Sequence, residues 1–82
     1  MKAIFFASSF NRDWKKLSPE VQARLRPCFE RLTNDDPSLD IKRLRGSRNE
    51  FRLRVGDYRV TFMIEADRML LENISHRKDA YR

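Results

Sequence analysis

Residues 50–62, EFRLRVGDYRVTF, alternate two kinds of side chain. Phe51, Leu53 and Val55 are apolar, and Arg52 and Arg54 stand between them. After Gly56-Asp57, Tyr58, Val60 and Phe62 alternate with Arg59 and Thr61. Strand side chains point to opposite faces in turn. The pattern therefore predicts two strands joined at Gly56-Asp57, with one face buried and Arg52, Arg54 and Arg59 displayed on the other. Three guanidinium groups on one small surface repel one another, and like charges across strands destabilise a sheet. Such a cluster suits an oxyanion, because the planar guanidinium fork matches phosphate and carboxylate. The plainer alternative is a solvated face balanced by acids such as Glu65.

A second group of candidates follows the last apolar run, in His76-Arg77-Lys78-Asp79-Ala80-Tyr81-Arg82. Cations beside an aromatic ring suit single-stranded nucleic acid, where phosphates need charge and bases need a stacking surface. Tyr81 has the alternative role of covering its own domain. His76 is the chain's one histidine, and its unperturbed pKa makes it the candidate acid or base. Its alternative is a hydrogen-bonding residue at a strand end. Lys42, Arg43, Arg45 and Arg48 place four cations in seven residues just before the strands. With Lys78 and Arg82 they extend the surface on which RNA could rest.

Charge is distributed to match. Residues 1–40 hold seven basic and six acidic side chains, and residues 41–82 hold eleven and six. The second half thus carries nearly all of the net charge of +6, and 13 of the 18 basic residues are arginine. A field of this sign favours an anionic partner.

The elements that must position these groups fit one α+β domain spanning residues 1–82. Residues 2–7 read as a strand. A helix starts near Ser8 or Ser9, either of which could cap it, with Phe10, Trp14 and Leu17 on one face. Ser18-Pro19-Glu20 opens a second helix, continued by Val21, Leu25, Phe29 and Leu32. Pro27 predicts a kink or two shorter helices meeting there. Residues 33–38 form a turn cluster. Residues 39–49 read as a loop anchored by Leu39, Ile41 and Leu44. A three-stranded meander follows, over residues 50–55, 57–65 and 69–76. The helices should cover one face of the sheet and leave the other open. Cys28 is alone, which excludes an internal disulfide. The apolar start, residues 3–7, is too short for a signal core or a membrane span, so a cytoplasmic location is expected.

Three blocks in order, KRLRG, FRLRVGDYRVTF and ISHRKDAYR, resemble the RelE/ParE superfamily of bacterial and archaeal toxins, and the RelE branch in particular. The resemblance covers nearly the whole chain. It implies a RelE-like fold, with an N-terminal strand and two helices packed on a curved antiparallel sheet. It implies a ribosome-dependent mRNA endonuclease acting at the ribosomal A site, without metal or other cofactor. It also implies an acidic antitoxin that binds and silences the toxin. The family's active residues fall on Arg52, Arg54, Arg59, Arg77 and Tyr81 of this sequence. The best-known RelE pattern has lysines where this chain has Arg52 and Arg54. Arginine keeps its proton at any ordinary pH, so these two groups suit electrostatic stabilisation rather than proton removal. Two other readings share the fold: a ParE-type poison of DNA gyrase, and an RNA- or antitoxin-binding module with weak catalysis. Arg77 paired with Tyr81 argues against the first, because ParE-like chains generally lack that tyrosine.

Overall fold

A computed structural model describes residues 2–78; Tyr81 and Arg82, both singled out above, lie outside them. The chain runs β1 (Ala3–Phe6), α1 (Ser8–Lys15), α2 (Pro19–Thr33), β2 (Asp40–Arg43), β3 (Glu50–Val55), β4 (Tyr58–Glu65) and β5 (Arg68–His76). The strands form one sheet in the order β1-β5-β4-β3-β2. The meander of β3, β4 and β5 is as the alternation predicts, with β3 and β4 joined at Gly56-Asp57. Gly56 has φ +59°, a left-handed conformation that glycine adopts without steric cost.

Several details differ from expectation. The sheet is mixed, because β1 lies parallel to β5, with Ala3 opposite Arg68 and Phe6 opposite Leu71. Residues 40–43 are a strand rather than a loop, and they pair antiparallel with β3. All four are exposed, so no hydrophobic alternation marks them. Pro27 sits inside one continuous helix instead of dividing two; it faces solvent, where the carbonyl it leaves unpaired can meet water.

The core lies between the helices and one face of the sheet. Phe10 of α1 and Leu25, Cys28 and Leu32 of α2 pack on Leu53, Val60, Phe62, Met69, Leu71 and Ile74. Fully burying each large apolar side chain stabilises the fold by about 1.5–3 kcal/mol. Phe10, Trp14 and Phe29 cluster where the helices meet, the Phe10 and Phe29 rings edge to face at 5.6 Å. Ser18 caps α2, its Oγ accepting the Val21 N–H. Neither Ser8 nor Ser9 caps α1, whose N-cap is Ala7. Ser9 is used elsewhere: its hydroxyl donates to the Glu72 carbonyl of β5 at 2.6 Å.

That bond belongs to a local irregularity. Along β4 and β5, Thr61 is opposite Asn73 but Phe62 is opposite Leu71, so one extra residue bulges from β5. A bulge interrupts the ladder, and buried backbone groups need other partners. Helix α1 supplies them. Ser9 takes the Glu72 carbonyl, and the Asp13 carboxylate accepts the Ile74 N–H at 2.9 Å. Ser9 and Asp13 are four residues apart, on one face of the helix.

Candidate nucleic-acid interface

The core fixes which side chains face away from the helices. Leu53 and Val60 are buried, so their neighbours Arg52, Arg54, Arg59 and Thr61 point to the open face. The register sorts these residues into two cross-strand rungs. The first, nearest the Gly56-Asp57 turn, holds Asp40, Arg54, Arg59 and Ser75 on β2, β3, β4 and β5. The second holds Lys42, Arg52, Thr61 and Asn73. The next rung holds Glu50, Met63, Leu70 and Phe5, and Phe5, Met63 and Leu70 line, with Glu65, Ala66 and Arg68, a cavity of about 450 Å³.

Arg54 and Arg59 stand directly opposite each other. Arg54 is exposed and Arg59 half-buried. The ion pairs among the described residues are Lys2–Asp35, Arg31–Asp36 and Arg77–Asp57, so no carboxylate is bound to either. Asp40, on the far side of Arg54, is the one acid in their rung. Arg77 joins them from the end of β5. Its N–H donates to the Asp57 carbonyl at 2.6 Å, and its guanidinium lies 3.9 Å from the exposed Asp57 carboxylate. The hairpin turn therefore ties Arg77 to the sheet end that carries Arg54 and Arg59. Three cations therefore share one end of the sheet, one of them tethered through a weak surface pair.

The remaining candidates divide. Arg52 and Lys42 share the second rung. Arg43 lies opposite Phe51, on the helix side, with its guanidinium 5.9 Å from the Phe51 ring. Arg45 and Arg48 are exposed on the turn between β2 and β3, at the other end of β3 from Arg54. Lys78 is exposed beside Arg77. His76 lies opposite Tyr58, on the helix side of the sheet, its ring edge-on to the tyrosine at 4.9 Å. Its Nδ1 accepts the Lys78 N–H at 3.0 Å. The open face thus brings together Arg54 and Arg59, with Arg77 tied to the same end of the sheet and Arg52 one rung away; it does not include His76.

Sequence reasoning did not single out Thr61 or Asn73. Thr61 could have been read from the alternation of β4. Asn73 could not, because the bulge breaks the period: Leu71 and Ile74 are both buried although three residues apart. At the same bulge the Glu72 carboxyl is pushed above its ordinary range, first by burial and then by the charge of Glu50.

Comparison with known proteins identifies the family. Residues 4–81 match the family described as ParE toxin of type II toxin-antitoxin system, parDE. The chain is 32% identical over 82 residues to Toxin RelE3 of Methanocaldococcus jannaschii, covering 95% of this chain and 93% of that one. It superposes on a chain of the RelB-RelE antitoxin-toxin complex from Methanococcus jannaschii with a TM-score of 0.81, 30% identity and 94% of each chain covered. The isolated RelE toxin of E. coli has the same fold, with a TM-score of 0.77 at 15% identity, covering 93% of this chain and 84% of that one. The chain belongs to the RelE/ParE superfamily, as a RelE-family toxin of a type II toxin–antitoxin system.

Proposed function

We propose that this toxin is a ribosome-dependent mRNA endonuclease. The observation that carries the reading is the Arg54–Arg59 pair, two opposed cations with no carboxylate bound among the described residues, with Arg77 held at the same end of the sheet. The ribose 2′-hydroxyl gives up its proton to solvent water, and its oxygen attacks the adjacent phosphorus as the bond to the 5′-oxygen breaks. A 2′,3′-cyclic phosphate forms, and the 5′-oxygen leaves as a hydroxyl after taking up a proton. Negative charge builds on the phosphoryl oxygens between these states. Fixed guanidinium groups stabilise that charge, an effect worth about 10²–10³-fold in rate for a single donor. The arginines remain protonated throughout, so their contribution is electrostatic. Tyr81, on the strength of the resemblance, orients or stacks on a base. A RelB-type acidic antitoxin is the proposed partner, as the relative from Methanococcus jannaschii is found in complex with RelB. An acidic flexible segment suits a basic domain of this size.

Arg59→Ala, Arg77→Ala and Tyr81→Ala are each expected to relieve growth arrest on expression while leaving the circular dichroism spectrum unchanged. Arrest that persists in all three would overturn the site. The match to the ParE toxin family favours a second reading, poisoning of DNA gyrase. A supercoiling assay with purified gyrase separates the two: the endonuclease reading expects no inhibition.

A further inference from the structure

The two rungs of the open face differ in a way that the cleavage chemistry leaves unexplained. Two buried side-chain atoms among the described residues lack a hydrogen-bond partner, Arg52 Nε and Thr61 Oγ1. They belong to residues directly opposite each other in the second rung. A buried polar group without a partner calls for an explanation. A guanidinium has only donors to offer, and a threonine hydroxyl can donate as well, so an incoming oxygen acceptor would satisfy both. Their neighbours in the rung, Lys42 and Asn73, carry further donors, and the rung contains no carboxylate. The first rung, by contrast, includes Asp40.

We infer that Lys42, Arg52, Thr61 and Asn73 form a second anion subsite, which holds the phosphate adjacent to the one being cleaved. The inference rests on the RNA reading above and adds the course of the strand. Equivalent outward positions in successive rungs are two residues apart, about 7 Å along a strand. This is roughly the separation of successive phosphates in an extended single strand of RNA. The RNA therefore runs along β3 and β4, with the scissile phosphate on Arg54, Arg59 and Arg77 and its neighbour on the second rung. Arg52 and Thr61 position the substrate by this route; the phosphorus under attack lies on the other rung. Both orphan atoms are covered in the free chain, so the subsite opens as Lys42 and Arg52 move onto the phosphate. The bulge in β5 serves the same end, because it turns Asn73 outward beside Thr61.

The test is a binding cycle on the full chain. The ligands are a 2′-O-methyl RNA trinucleotide, which cannot be cleaved, and the same trinucleotide with one or the other of its two phosphates replaced by a neutral methylphosphonate. Titrations followed by NMR at low salt compare wild type with Arg52→Met and Thr61→Val. In wild type, neutralising the second-rung phosphate should weaken binding about tenfold, the scale of a charge-assisted hydrogen bond. It should also lower the salt slope by about 0.7. In Arg52→Met the same replacement should cost little, and in Thr61→Val an intermediate amount. An equal loss in wild type and Arg52→Met would overturn the second subsite and leave the first intact. Failure of wild type to bind any of the ligands would overturn the subsite on the free chain, whereas the ribosome-dependent reading stands or falls separately, by primer extension in a translating extract.

Discussion

Replacing Arg59 by methionine should make this protein more stable while making it inactive. Arg59 lies directly opposite Arg54, and no carboxylate among the described residues is bound to either. Opposed residues on antiparallel strands have Cβ atoms about 5 Å apart. Two splayed guanidinium groups there are separated by about 7 Å, which gives a repulsion of about 0.6 kcal/mol at the dielectric of water and about 2.4 kcal/mol at 20. Arg54 is exposed and Arg59 half-buried, and Asp40 beyond Arg54 offsets part of the repulsion. A value of about 0.5–1 kcal/mol follows, within the range for cross-strand pairs. Methionine keeps an unbranched apolar chain and discards the charge. For a domain of this size 1 kcal/mol corresponds to about 4–8 °C in Tm, so Arg59→Met should melt several degrees above wild type at low ionic strength. In 1 M salt the Debye length shrinks to about 3 Å, and the gain should largely vanish. Thermal unfolding followed by circular dichroism at both salt concentrations measures this directly. A variant less stable than wild type at both would refute the reasoning, because Arg59 would then be contributing to the fold rather than straining it.

Two further predictions concern the fold. Asp13→Ala leaves the Ile74 N–H without its acceptor; urea unfolding should show a loss of about 1–3 kcal/mol, and a variant as stable as wild type would mean that the bulge does not depend on α1. The Arg31 guanidinium, helped by the Ser38 N–H and hydroxyl, holds the Asp36 carboxyl at about 2, below its ordinary 3.8. The unfolded chain therefore binds this proton more tightly, so the stability from this group is complete above about pH 4 and is lost as pH falls toward 2; Asp36→Asn should flatten that part of a urea-midpoint profile, and a slope equal to that of wild type would contradict the assignment.

What could be read from the sequence depended on whether a signal was local. The arginine alternation of β3 and β4 is written residue by residue, and burial of Leu53 and Val60 on the helix side settles which way it faces. The Ser18-Pro19-Glu20 helix start is equally local, and the structure has it. The parallel pairing of β1 with β5 joins segments more than sixty residues apart and leaves no short-range mark. Strand β2 is short, charged and at the sheet edge, where lysine and arginine guard against unwanted pairing. Ser9 has the composition of a cap but spends its hydroxyl on the bulge in β5. The same bulge moved Asn73 onto the open face, against the period that its strand otherwise keeps. His76 lies next to Arg77 in sequence, yet strand alternation turns it to the side of Tyr58.

The open arginine face is proposed to cleave mRNA on the ribosome. Primer extension on a defined mRNA in a translating extract tests it most directly, with wild type and Arg77→Ala run in parallel. New 5′ ends at codon positions with wild type, absent with Arg77→Ala and absent when translation is blocked, are the predicted result. Intact mRNA in the presence of wild-type protein that still arrests growth in cells would contradict it.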